Sequence, residues 1–222
     1  MQKVFDLLYK AYYLNYPLIY ALKHGAQILE ANENGVALFR INQKFMLLAG
    51  SSLPEIIKNL SKPDWAELCG SQNVGHVAAH FGFSEVMECH QLYYPHKTIE
   101  FDLELEPLNH DNAAFVLEHY HRLDQEELHQ AIEQQRIFGV RIQGQLFAFI
   151  GLHDDFAMGM LEVLPEYRRR GWGERLERAL TAKVLSMGEL PDGHVIAGNE
   201  TSLRLQKKLG FVECSNKVYW MW

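Results

Sequence analysis

Residues 161–173 read Leu-Glu-Val-Leu-Pro-Glu-Tyr-Arg-Arg-Arg-Gly-Trp-Gly, an apolar strand that passes through a proline turn into a basic, glycine-containing loop. A helix follows at once: Leu176, Ala179, Leu180, Val184 and Met187 fall on one helical face, and Glu174, Glu177, Arg178 and Lys183 fall off it. A loop that opens a helix presents backbone N–H groups with no intrahelical partner, at the positive end of the helix dipole. Gly171 and Gly173 permit a tight turn and close backbone approach, while Arg168, Arg169 and Arg170 surround the place with positive charge. Strand, loop and helix together have the make-up of a pyrophosphate site.

Two general phosphate motifs are missing, the Gly-x-x-x-x-Gly-Lys-Ser/Thr loop and Gly-x-Gly-x-x-Gly with its later ribose acid. What is present is Arg168, two free positions, Gly171, Trp172 and Gly173. Around it the pattern predicts a strand over Phe101–Leu105, helices over Asn109–Arg122 and Gln125–Gln135, and a strand over Ile137–Ile142. A turn at Gln143-Gly144 leads to a strand over Leu146–Leu152, and a turn at Asp154-Asp155 leads to the strand Met158–Leu164. After the long helix come a short strand His194–Ala197, a helix from Asn199 to Leu209, and a last strand Val212–Trp222.

The loop resembles the acyl-CoA loop, Arg/Gln-x-x-Gly-x-Gly/Ala, of the Gcn5-related N-acetyltransferase (GNAT) family. The element order β-α-α-β-β-β-α-β-α-β and the segment from Asn199-x-x-Ser202 to Leu209-Gly210-Phe211 extend the resemblance over residues 99–222. It implies an α/β (α+β) fold, with a mixed and mostly antiparallel central sheet flanked by helices. It also implies acetyl-CoA or another acyl-CoA as cosubstrate, no metal, and an N-acyltransferase acting on a primary amine. The run Glu162–Arg168 is similar to the glycine-N-acyltransferase-like branch. So is Leu-Gly-Phe without a preceding Tyr: where many members carry that Tyr to protonate the departing thiolate, this chain has Gln206. An amide is no acid. Another group or water must serve, or the thiolate leaves unprotonated, as a thiol of pKa about 8.5 can.

The resemblance implies roles residue by residue. Backbone groups of Leu161 and Val163 pair with the pantetheine arm, and the Val163 N–H polarises the thioester oxygen. Arg168, Arg169, Arg170, Gly171, Trp172 and Gly173 take the pyrophosphate, Asn199 binds the pantetheine or the amine-bearing end, and Ser202, near the next helix start, contacts the arm. An alkylammonium must lose a proton before it attacks. Glu162 is the leading candidate base, because strand alternation places it one residue from the carbonyl-binding backbone; His153 and Asp155, in the neighbouring hairpin, follow. His119 and His121 flank Tyr120 near the expected acceptor pocket.

Composition narrows the partners. Lys and Arg number 21 against 28 Asp and Glu, for a net charge of −7, which disfavours a nucleic-acid backbone and suits an amine acceptor, small molecule or peptide. Cys69, Cys89 and Cys214 are odd in number and unpaired in spacing, as in a reducing cytoplasm. The apolar start, Met1–Leu22, is broken by Asp6, Lys10, Asn15 and Pro17, so neither a signal segment nor a membrane span is expected there. A monomer or homodimer in the cytoplasm is the expectation.

Tyr94-Pro95-His96-Lys97-Thr98 marks a boundary between residues 1–97 and 98–222. Upstream, His80-Phe81-Gly82-Phe83 followed by Ser84–Tyr94 parallels Lys208-Leu209-Gly210-Phe211 followed by Val212–Trp222. Strand-like runs at Gln27–Glu30, Val36–Ile41 and Phe45–Ala49 strengthen the parallel, and no Arg-x-x-Gly-x-Gly loop accompanies them. The first 97 residues are therefore expected to be a degenerate GNAT-like half, against the alternative of an unrelated α+β lid. Tyr9, Tyr12, Tyr16 and Tyr20 form a stripe at helical spacing, and His76 and His80 lie one helical turn apart without a third metal ligand. Two other functions compete with the enzyme: a catalytically silent acyl-CoA sensor, and an aminoacyl-tRNA-dependent transferase, which the acidity and the intact CoA loop disfavour.

Overall fold

Two helices and a three-stranded antiparallel meander open the chain, and the same order returns in its second half. In the computed structural model, which describes residues 1–39, 45–123 and 125–222, α1 (Gln2–Tyr9) and α2 (Tyr16–Lys23) lead into β1 (Gln27–Asn32), β2 (Gly35–Phe39) and β3 (Phe45–Gly50). Next come α3 (Leu53–Ile56), β4 (Trp65–Cys69), α4 (Val74–Phe81) and β5 (Val86–Tyr93). After the short strand β6 (Glu106–Pro107) follow α5 (Ala113–His119), α6 (Gln125–Glu133), β7 (Ile137–Ile142), β8 (Gln145–Leu152) and β9 (Met158–Val163). The chain closes with α7 (Trp172–Ser186), β10 (Asp192–Ile196), α8 (Glu200–Leu209) and β11 (Val212–Met221). Each half thus runs α-α-β-β-β-α-β-α-β. The end of the predicted 36–41 strand lies outside the described residues.

The chain forms two compact units that do not follow its order: Met1–Tyr93 with His194–Arg204 and Val212–Trp222, and Tyr94–Gly193 with Leu205–Phe211. In the first unit the strands lie in the order β1-β2-β3-β4-β11-β5. Strands β2 and β3 carry apolar side chains on both faces, so both faces must be covered. Val36, Leu38 and Leu47 pack with Leu8, Leu18 and Ile19 of the first two helices, and Ala37, Met46 and Leu48 pack with Ile56, Val77 and Phe81 of α3 and α4. The tyrosine stripe crosses the turn between α1 and α2, with Tyr12 and Tyr16 rings 5.8 Å apart and Tyr16 fully buried.

In the second unit β6, β7, β8 and β9 pair antiparallel in sequence order, and β10 joins β9 in parallel at Gly193. The β7–β8 hairpin turns on Gln143 and Gly144, both at positive φ (50° and 82°), the conformation that suits the right-handed twist of the strands. Helices α5 and α6 bury Val116, Leu128 and Ile132 against Ile137, Phe149 and Met160. The strand predicted over Phe101–Leu105 does not form; pairing begins only at Glu106, opposite Gly139. Phe101 is exposed and Asp102 is held by Arg175 of α7, so the alternation there meets no ladder. The predicted 109–122 helix shortens to a 3-10 turn at His110–Asn112, capped by Asn109, followed by α5.

Candidate functional site

Strand β9 has one edge on β8 and the other turned toward β10. The β9–β10 ladder is recorded at a single position, Met158 opposite Gly193, and among the described residues no strand pairs with β9 beyond it on that side. Gly193 makes even this contact possible, because a Cβ there would lie 2.9 Å from the Met158 carbonyl oxygen. The corresponding strands of the first half, β3 and β4, pair over five positions from Phe45–Trp65 to Ala49–Cys69. One half is closed where the other is open.

The open edge presents the backbone groups of Val163. Leu164 N–H donates to the Phe147 carbonyl (2.9 Å), and Ala148 stands opposite Val163. By the alternation of an antiparallel ladder, Val163 therefore turns its N–H and C=O away from β8. Both are met by side chains from the same stretch: the Val163 N–H donates to Glu162 Oε1 (3.2 Å), and Arg168 Nε donates to the Val163 carbonyl (2.7 Å). Arg168 Nη2 closes the triangle on Glu162 Oε1 (2.7 Å). Any strand laid along this edge must displace the Glu162 carboxylate from the Val163 N–H. Just before it, β9 bulges between its pairings to Phe149 and Gly151, and Met160 takes a positive φ of 53°, a kink that re-aims the strand.

Phe147 anchors the loop between β9 and α7 from two sides, its ring 4.5 Å from Tyr167 and 4.9 Å from Trp172. Between them Arg169 and Gly171 both have positive φ (59° and 82°), and α7 begins directly after Gly171, so that its first backbone N–H groups are those that a helix leaves without intrahelical acceptors. Among the described residues nothing lies within 4 Å of a Cβ built on Gly171, so open space adjoins it. Arg168, Arg169 and Arg170 are exposed. Gly173 differs, being helical, with a built Cβ in ordinary contact with Leu161 and Leu205 at 3.7 and 3.8 Å; an alanine would fit.

His153 lies so close over Gly159 that a Cβ there would collide with the imidazole, and burial holds its pKa below the ordinary histidine value. Asp155 is buried and its carboxylate accepts from the Ala157 N–H (3.0 Å), a turn-forming role. The structure brings Tyr120, rather than its flanking histidines, to Met160 and within electrostatic reach of Glu162, with burial raising its phenol pKa; His119 is turned onto the Phe115 carbonyl (2.8 Å). Only the approach of β9 to α5 reveals Tyr120. Asn199 and Ser202 belong to the other unit, where Asn199 Oδ1 accepts from the Ser202 N–H (3.2 Å) at the head of α8.

Glu177 departs from the sequence reading. Placed off the apolar face of α7 by the periodicity, it is 4% exposed, because α7 is covered on a second face as well. Its Oε1 accepts from Gln206 Nε2 (2.9 Å), and burial pushes its carboxyl up to about 7 against the lowering effect of that bond.

Residues 139–221 match the family model described as FR47-like protein. No curated protein sequence matches the chain. Among solved structures, a Drosophila protein is 18% identical, over 95% of this chain and 89% of that chain, with a TM-score of 0.71. A GCN5-related N-acetyltransferase from Kribbella flavida is 13% identical, over 94% of each chain, at 0.61. A tandem GNAT protein from the clavulanic acid biosynthesis pathway is 14% identical, over 94% of this chain and 87% of that one, at 0.50. The fold is that of the GNAT acetyltransferases. No helix among the described residues is long and apolar enough to cross a membrane.

Proposed function

We propose that the chain is an acyl-CoA-dependent N-acyltransferase that moves acetyl from acetyl-CoA to a primary amine of a small molecule or peptide by direct attack, in the manner of the glycine-N-acyltransferase-like branch of the GNAT superfamily. The observation that carries this reading is the open edge of β9 beside a basic loop whose glycine leaves room for an anion. An extended thioester arm would add to β9 as a strand does, with its pyrophosphate at the start of α7 and its carbonyl on the Val163 N–H. Glu162, freed from that N–H, is one residue away to receive the ammonium proton, directly or through water. His153, whose pKa burial holds below the ordinary histidine value, is the second candidate base.

Residues 1–97 are, on this proposal, a degenerate GNAT-like half: they share the element order, lack the loop, and pair β3 with β4 where an open pair would admit a ligand. The acceptor is an amine and not a nucleic acid, in a monomer or homodimer working in the cytoplasm. Titration calorimetry with acetyl-CoA, followed by a mass-shift screen against a panel of amines, tests the proposal. Binding followed by a gain of one acetyl group supports it. Binding without transfer to any amine favours a silent acyl-CoA sensor, and absence of binding removes both.

A further inference from the structure

Gly173, Glu177 and Thr181 are spaced four apart on one face of α7. That face looks onto β9: Gly173 adjoins Leu161 and Leu205, and Thr181 Oγ1 is 3.9 Å from Met158 Sδ. Glu177 therefore stands between two points that touch either end of the Met158–Leu161 segment. Its partner Gln206, on α8, occupies the position where the family resemblance places a phenol. Glu177 is 4% and Gln206 8% exposed, and one hydrogen bond joins them. That bond leaves Glu177 Oε2 and Gln206 Oε1, both fully buried, without a hydrogen-bond partner among the described residues. Such atoms are costly to leave unpaired, and a buried polar pair of this kind is where a bound water serves as the partner.

We propose that Glu177, as its neutral acid, is the source of the proton taken by the departing thiolate, delivered through one water bridging Glu177 Oε2 and Gln206 Oε1, with Gln206 as a positioning residue. The proposal rests on the acyl-CoA transferase reading. As the tetrahedral adduct collapses, the C–S bond breaks and its electron pair stays on sulfur. Sulfur takes a proton from the water while the water takes the proton of Glu177. The base near β9, having passed the ammonium proton on to solvent, takes the second proton that nitrogen loses as the amide forms, and the Glu177 carboxylate regains a proton from solvent when the thiol leaves. The products are an amide and a thiol, and no oxidant or reductant is needed.

The charged groups around Glu177 are engaged elsewhere. Glu174 and Arg178, on its own helix, bond to each other, and Glu174 also binds Lys208 of α8. Glu162 on β9 is bonded to Arg168, and β8 brings no ionisable side chain. Asp192, at the start of β10, is buried. Burial is thus the principal influence that keeps Glu177 protonated near neutrality, the protonation state that an acid of this kind requires.

The test compares wild type with Glu177→Gln, which preserves shape and hydrogen bonding, and with Gln206→Met. Calorimetry comes first, because failure of the wild type to bind acetyl-CoA would overturn the reading of the site itself. Given binding, both variants should keep the affinity. In the wild-type complex the bound CoA thiol, followed by its thiolate absorbance, should titrate at higher pH than in E177Q, since an ionised Glu177 opposes a second negative charge. With an accepting amine, E177Q should lower kcat by about 10²-fold with KM for acetyl-CoA unchanged. It should also abolish the fall in kcat as pH rises through about 7. Identical thiol titrations, or an unchanged kcat with the descending limb retained, would overturn the assignment while leaving the transferase reading intact. Full activity of Gln206→Met would remove the bridging role.

Discussion

Replacing Glu177 with Gln should flatten the dependence of the protein's stability on pH. In the unfolded chain the Glu177 carboxyl titrates near 4.5, and in the folded protein burial pushes it up to about 7. The folded state holds this proton more tightly. Stability from this group is therefore complete below about pH 4.5 and is lost as pH rises through about 7, where the folded protein must carry a buried negative charge. At about 1.4 kcal/mol for each tenfold change in proton affinity, the loss comes to about 3 kcal/mol. Gln at 177 has no proton to lose. Urea denaturation of both proteins at about pH 4 and about pH 8.5 should show the variant gaining about 3 kcal/mol on the wild type between the two. Other titrating groups are common to both and cancel in the difference. An equal gap at the two pH values would refute the reasoning, because it would mean that the carboxyl is hydrated in the folded protein and that α7 is not closed over it.

Gly171→Asp should cost about 1 kcal/mol of stability, since Asp tolerates the positive φ there better than most residues, yet it should abolish acetyl-CoA binding by setting a carboxylate against the pyrophosphate; calorimetry and a thermal melt read the two effects separately. Gly193→Val should lower stability by about 1–3 kcal/mol, because its Cβ would press on the Met158 carbonyl oxygen, and an unchanged melting temperature would show that β9 and β10 do not meet as described. Glu162→Gln should reduce acetyl transfer more below about pH 8 than above about pH 10, where the amine is already neutral. Equal loss across the range would make Glu162 a structural partner of Arg168 only.

What was legible from sequence was local. Gln143-Gly144 announces a hairpin because few residues accept positive φ twice in succession. The passage from an apolar strand through Arg168–Gly173 into α7 is readable because turn chemistry, charge and helical periodicity lie side by side in the chain. Where an element depends on a distant partner, the reading fails. Phe101–Leu105 alternates as a strand should but is given no ladder, and β4, a plain five-residue strand, is recognisable only by its pairing with β3 and β11.

The amino-acid sequence by itself determined the order of elements from Ile137 onward, the basic, glycine-containing character of the loop and the chemical types present at each turn, since these follow from propensity and spacing within a few residues. Tertiary structure decided which strands stand apart and which charges lose their water. The single pairing of Met158 with Gly193 makes an edge where the first half has a closed ladder, and no pattern within β9 announces it. The same holds for Glu177: a glutamate off the apolar stripe reads as solvent-facing, and it becomes a buried acid only because β9 and Gln206 of α8 close over that side of the helix. Burial and strand separation are relations between segments far apart in the chain, set by the packing of whole elements and not by any neighbourhood of residues.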